Sequence, residues 1–148
     1  MSLLMDIKAA RRPFYLALPV HDLEAARRFY GDLIGCRVGR EEPGSWIDFD
    51  FGGHQLSLHL KPDDCLAAGS NAVDGDAVPV RHFGLVLPMP DWRALAKRLT
   101  DAGAEFIIAP KVRFEGQAGE QATLFLADPS GNALEFKAFG DDASLFAR

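Results

Sequence analysis

The chain has 148 residues, 48% of them hydrophobic and 25% charged, and 16 Lys and Arg stand against 21 Asp and Glu for a net charge of −5. Such a length suits one domain or two small modules sharing a core, and the composition is globular and not that of a disordered chain. The acidic balance argues against a sequence-independent nucleic-acid binder, and no apolar run approaches the ~18 residues of a membrane-spanning helix.

Met1 to Ile7 lacks the basic stretch that opens a secretory signal. Cys36 and Cys65 form no CxxC and are too few for a disulfide framework, although a single bridge between them stays open. A cytoplasmic protein is expected.

An internal repeat organises the chain. Tyr15-Leu-Ala-Leu-Pro-Val20 and His82-Phe-Gly-Leu-Val-Leu87 each precede a helical stretch, a glycine and further strands. This alignment sets Tyr15 opposite His82 and Ser57 opposite Glu135, with Gly53 and Gly131 leading the last strands. Each copy reads as strand, helix, then about three strands. The modules span about residues 13–61 and 80–139 of one domain covering 1–148.

The first helix is predicted from Asp22 as N-cap, with Leu23, Ala26, Phe29, Tyr30 and Leu33 at helical spacing and Gly35 as its stop. The second is predicted with Asp91 as cap, Trp92, Leu95, Ala96 and Leu99 as its apolar face, and Gly103 as its stop. Arg27, Arg28, Arg93, Lys97 and Arg98 read as a solvated face.

The strands alternate. Ile47, Phe49 and Phe51 face the core, and Trp46, Asp48 and Asp50 face away. In Gln55 to Leu60 the leucines oppose Gln55, Ser57 and His59. In Ala133 to Ala138, Leu134 and Phe136 oppose Glu135 and Lys137. A sheet with helices outside and a polar concave side inside satisfies this pattern, and such a cup suits a small-molecule ligand. The fold class is α+β: two βαβββ modules forming a cupped mixed sheet with helices on the outer face.

Residues 62–79, rich in Asp, Ala, Gly and Ser, read as a surface linker. The tail beyond Gly140 reads as peripheral, with Leu145 and Phe146 as docking residues for another surface, a partner subunit included. Lys111 to Gln121 reads either as a loop closing over the cup, with Arg113 binding a substrate carboxylate, or as a hairpin connection. Lys137 shares the face of Glu135 and can neutralise it or an anionic ligand.

His82 and Glu135 are the sharpest candidates. A histidine and a carboxylate on one sheet face can hold a divalent metal: iron with a second histidine, or zinc, nickel or manganese in a mixed set. The plainer alternative is a buried hydrogen-bonded pair.

The two-copy plan resembles the vicinal oxygen chelate superfamily, the group of glyoxalase I, bleomycin-resistance proteins and extradiol dioxygenases. Leu16 to Cys36, His82 to Leu87 and Asp128-Pro-Ser-Gly-Asn-Ala-Leu-Glu-Phe136 carry the resemblance, which covers residues 13–139. In that group metal ligands lie on the first and last strand of each module. The resemblance places them at Tyr15, Ser57, His82 and Glu135. Tyr15 stands where histidine is usual, and Ser57 where glyoxalase I offers Glu. A phenol with a reference pKa of about 10 is a costly ligand at neutral pH. His59 faces the same cup as Ser57 and is a further candidate ligand.

The resemblance implies a metal-dependent lyase, isomerase or dioxygenase acting on a small oxygen-rich metabolite, bound with help from Ser57, His59, Arg113 and Lys137. Fe, Zn, Mn or Ni would be its cofactor, and Tyr15 and Glu135 its catalytic groups. It also implies a homodimer. Tyr15 and His82 are then expected to approach one another. The alternative is a metal-free binding protein of the bleomycin-resistance kind, for which the acidic balance and the aromatics favour a cationic guest. No nucleic-acid or membrane partner is expected.

Overall fold

The computed structural model describes residues 12–148, so the expectation for Met1 to Ile7 lies outside the described residues. The first module runs β1 (Tyr15–Val20), α1, β2 (Arg37–Glu42), β3 (Trp46–Phe51) and β4 (His54–Leu60). The second runs β7 (His82–Val86), α2 (Met89–Asp101), β8 (Ile108–Arg113), β9 (Gln121–Ala127) and β10 (Ala133–Phe139). Their strand orders are the same, β1-β4-β3-β2 and β7-β10-β9-β8, in two four-stranded sheets. In each, the first strand runs parallel to the last and the other neighbours are antiparallel. Registers match too: Tyr15 lies opposite Gln55, and His82 opposite Ala133, the residue equivalent to Gln55 in the repeat.

Helix α1 begins as predicted. Asp22 has extended backbone, and its side chain accepts from the Ala25 amide at 3.0 Å. One α-helical turn, Leu23–Ala26, widens into a π-helix over Arg27–Ile34, and Gly35 ends it at φ 95°. Helix α2 departs from expectation at its start. It opens at Met89 after Pro88, so Asp91 sits in the first turn and caps nothing. Pro90 suits that turn because the amide it lacks would have had no helical partner, and the Asp91 charge still favours the positive helix end. Arg98 is not merely solvated: it donates to the Leu33 and Asp32 carbonyls at 2.8 Å each, closing the end of α1.

One buried cluster joins both modules. Phe29, Tyr30, Ile47, Phe49, Phe51, Leu56 and Leu58 meet Trp92, Leu99, Leu124, Leu126, Leu134 and Phe136. Phe51 bridges the two halves, its ring centroid 5.9 Å from Phe136 and 5.6 Å from Phe83. Fully burying one such side chain contributes roughly 1.5–3 kcal/mol.

The turn 128–132 is a second bridge. Buried Asp128 accepts from Tyr30 Oη at 2.8 Å and from the Ser130 amide, the Asn132 amide and Asn132 Nδ2 at 2.9 Å each. Asn132 Nδ2 also reaches the Pro19 carbonyl at 2.9 Å, and Ser130 Oγ lies 2.7 Å from His21 Nδ1. Burial and the Asp128 charge push the Tyr30 phenol well above its usual value. This turn carries much of the family resemblance, and its bonds are structural.

Between the modules the expected plain linker is a built element. A 3₁₀ turn, Pro62–Asp64, leads to a hairpin of β5 (Gly69–Val73) and β6 (Asp76–Val80). Its two-residue turn is Asp74-Gly75, at φ 49° and 85°. Positive φ at both central residues is the type I′ arrangement that matches strand twist. The hairpin is tied to β8 by the Asp76–Lys111 ion pair and by Asp74–Arg113 at 2.6 Å. Exposed pairs of this kind contribute ~0–1 kcal/mol each. Beyond Gly140 a 3₁₀ turn, Asp142–Phe146, ends the chain's ordered elements with Phe146 exposed.

Candidate functional site

Residues opposite one another in an antiparallel ladder share a face, and alternate residues on a strand change face. On the second sheet this rule gathers Glu135 with Phe125, and Lys137 with Thr123 and Lys111. Arg113 and Gln121 extend the same face. Its opposite face, with Leu134, Phe136, Leu124 and Leu126, is the core.

His82 joins Glu135 on the polar face, Nε2 to Oε2 at 3.6 Å. The His82 Nδ1–H donates to the Pro79 carbonyl at 2.7 Å, and the ring edge meets Phe125 at 5.0 Å between centroids. A carbonyl only accepts, so Nδ1 must carry a proton. In the neutral ring Nε2 is then a bare lone pair aimed at a carboxylate. Two lone pairs facing one another repel unless a proton sits on one of them. A proton on either partner turns that repulsion into attraction, so the pair is placed to share one. Burial raises the Glu135 carboxyl above its usual value, and Lys137, 4.0 Å away, and His82 act against that rise.

Each member of the pair lines a cleft of its own. His82 lines one of about 240 Å³, which Leu66 and Arg81 border. Glu135 and Lys137 line the other, of about 170 Å³, which Asp74 and Asp76 of the hairpin border. The segment read as a tether therefore borders both. Arg113 does bind a carboxylate, but the carboxylate is Asp74 of the same chain. That hydrogen bond and charge hold Asp74 below its usual value. The signal for the hairpin was present in the sequence: Asp74-Gly75 between short β-prone runs.

The first sheet is arranged differently. Ser57 is buried and donates through Oγ to Asp48, whose other oxygen accepts from Gln55 Nε2 at 3.1 Å. Arg40 stands 3.8 Å from the same carboxylate. Asp48 is the polar group that the sequence reading did not single out, although its alternation with Trp46 and its place across from Ser57 mark it. His59 is exposed and pairs in register with Trp46. Tyr15 is 56% exposed and makes no hydrogen bond or ion pair with His82 among the described residues. Cys36 and Cys65 are both free, and burial pushes the Cys36 thiol up to about 11, which removes it as a nucleophile at neutral pH.

The donor set tests the metal. His82 Nε2 and Glu135 Oε2 are two donors, and Lys137 places a positive charge beside them. No group of three or more His, Cys, Asp or Glu able to hold a metal occurs among the described residues. Tyr15, Ser57 and His59 lie on the other sheet. Within one chain the set does not fit a tightly held divalent ion, which needs three or more protein donors in an open catalytic site.

Comparison with known proteins agrees with the fold. The sequence profile of the Glyoxalase/Bleomycin resistance protein/Dioxygenase superfamily matches residues 12–136. A glyoxalase/bleomycin resistance protein/dioxygenase from Alicyclobacillus acidocaldarius is 34% identical, with TM-score 0.72 over 91% of this chain and 96% of that one. Lactoylglutathione lyase from Agrobacterium tumefaciens is 20% identical, with TM-score 0.57 over 86% of this chain and 92% of that one. The fosfomycin resistance protein FosX from Listeria monocytogenes is 15% identical, with TM-score 0.63 over 89% and 95%. No curated protein matches the chain. No helix among the described residues is long and apolar enough to cross a membrane. With its duplicated βαβββ plan and a profile match over most of its length, the chain belongs to the glyoxalase/bleomycin resistance protein/dioxygenase superfamily.

Proposed function

We propose that the protein binds a small oxygen-rich molecule over the polar face of the second sheet, where His82 and Glu135 exchange a proton with it and Lys137 offsets its negative charge. The observation that carries this reading is the His82–Glu135 pair, 3.6 Å apart, with Nδ1 already engaged by the Pro79 carbonyl. A fixed Nδ1–H leaves Nε2 as the working nitrogen, and a partly buried carboxyl that burial makes easier to protonate is a suitable proton partner for it. The three cations on this face, Lys111, Arg113 and Lys137, favour an anionic guest over the cationic one expected from overall charge.

A metal-dependent lyase, isomerase or dioxygenase is the second reading. One observation favours it: metal-bound histidines usually donate their other ring N–H to a carbonyl or carboxylate, as His82 does. Its missing donors would have to come from outside the single chain. A homodimer would be one source, and exposed Phe14 and Tyr15 at the edge of the first sheet support such an assembly.

A thermal-shift screen of small carboxylates, hydroxy acids and phosphates tests the first reading. Hits should raise the melting temperature of the wild type and not that of His82→Ala or Glu135→Gln. Hits that persist undiminished in both variants would place the site elsewhere.

A further inference from the structure

We infer that the β5–β6 hairpin is a displaceable strap, and that Asp74 and Asp76 occupy, as internal counter-ions, a subsite for a small dicarboxylate. The inference rests on the proposed site for its location and names the ligand class that site takes.

Charge is the first argument. The floor of the second sheet carries Lys111, Arg113 and Lys137 against Glu135 alone. The strap brings two carboxylates to this floor, and the local charge then balances. One comes from the tight turn and the other from the first residue of β6, and they meet two separate cations, so the guest that replaces them has two carboxylates and not one.

An unmet hydrogen-bonding group is the second. Thr123 lies opposite Lys137 on one side and Lys111 on the other. Its hydroxyl oxygen is buried and has no hydrogen-bond partner among the described residues. Buried polar groups are nearly always satisfied, and a hydroxyl whose cross-strand neighbours are both lysines suits an anionic oxygen.

The hold of the strap is the third. β5 is exposed along its whole length, and on β6 only Pro79 is buried. The Asp74 and Arg113 side chains are 59% and 38% exposed, so water screens their pair. A segment with few buried contacts opens at low cost. Only Arg81, at φ 75°, separates β6 from β7. Pro79 is buried and its carbonyl holds His82 Nδ1, so the strap lifts ahead of Pro79 and leaves that hydrogen bond in place.

Calorimetric titration of the full chain with succinate tests this, with propionate and inorganic phosphate as comparison probes. If the closed strap dominates, Asp74→Asn/Asp76→Asn should bind succinate about tenfold tighter than the wild type, since the competent state no longer has to be selected. Lys111→Gln/Arg113→Gln should lose that binding, and propionate should bind more weakly than succinate throughout. In the wild type, succinate should speed hydrogen exchange of the amides in 69–80, a readout independent of any variant's folding. Equal succinate affinity with and without the two aspartates, or unchanged exchange on saturation, would overturn the strap. Tighter binding of phosphate than of succinate would overturn the dicarboxylate assignment. Strap-dependent succinate binding that ignores His82→Ala and Glu135→Gln would support the strap and sink the proposed function. Guests that need His82 and Glu135 but ignore the strap would do the reverse.

Discussion

The two modules share strand order and register, yet they treat their polar faces in opposite ways. In the first, the buried carboxylate Asp48 is satisfied from within, by Ser57, Gln55 and the Arg40 charge. In the second, the carboxylate Glu135 has only ion pairs at 3.6 and 4.0 Å and no hydrogen bond among the described residues. The same face carries Lys111, Arg113, Lys137 and a Thr123 hydroxyl with no hydrogen-bond partner among the described residues. The hairpin between the modules borders the second face. A duplicated scaffold has thus kept one copy as closed structure and left the other with unmet polar groups, which is the condition for binding. Fold alone would not have told them apart.

Exchanging equivalent residues gives the largest expected effect. Positions 17 and 84 correspond in the repeat, one Ala and the other Gly. A methyl at Gly84 would run into the Glu135 carbonyl, because β7 and β10 approach closely there. Gly84→Ala should cost about 2–3 kcal/mol in urea unfolding, whereas Ala17→Gly should cost about 0.5–1 kcal/mol. Similar losses for both would mean that the strands are equally spaced and the asymmetry is not real.

The carboxylates come next. Asp48→Asn removes an acceptor from a satisfied network and should destabilise by about 1–3 kcal/mol. Glu135→Gln should raise the melting temperature at pH 7. Burial raises the folded Glu135 pKa, so the native state holds its proton more tightly than the unfolded chain does. Its contribution to stability is full below the ordinary glutamate value and is lost as pH rises through the raised one. The gain from Glu135→Gln should therefore shrink as pH falls to about 4. A destabilised Glu135→Gln at pH 7 would show that the carboxylate is as well satisfied as Asp48.

Smallest of all is Tyr15→His. The resemblance makes this the change that restores a ligand, but Tyr15 is mostly exposed on the other sheet from His82 and Glu135. We expect a stability change within about 0.5 kcal/mol and no new affinity for Zn(II) in isothermal titration. A new stoichiometric site would join the two faces that the structure keeps apart.

Much of this was readable in the residues. The repeat, the Asp22 cap, the stops at Gly35 and Gly103 and the facing of His82 with Glu135 all follow from local periodicity and turn chemistry. What stayed hidden depends on distant partners. Nothing local says that Tyr30 meets Asp128, 98 positions away, or that Arg113 meets Asp74. The strap was missed for another reason: its acidic, glycine-bearing composition resembles a linker, and the Asp74-Gly75 turn signal is only two residues long. The start of α2 slipped from Asp91 to Met89 because a first-turn Asp and an N-cap Asp look alike in sequence.

Metal content by elemental analysis is the most direct test of a metal-independent site on the second sheet. The measurement needs tag-free protein prepared without chelators, before and after incubation with Fe(II), Mn(II), Ni(II) and Zn(II) followed by dialysis. With two donors beside the Lys137 ammonium, no stoichiometric metal should survive dialysis. One equivalent retained by the wild type and lost in both His82→Ala and Glu135→Gln would contradict it, and would make the pair part of a metal centre completed from beyond the single chain.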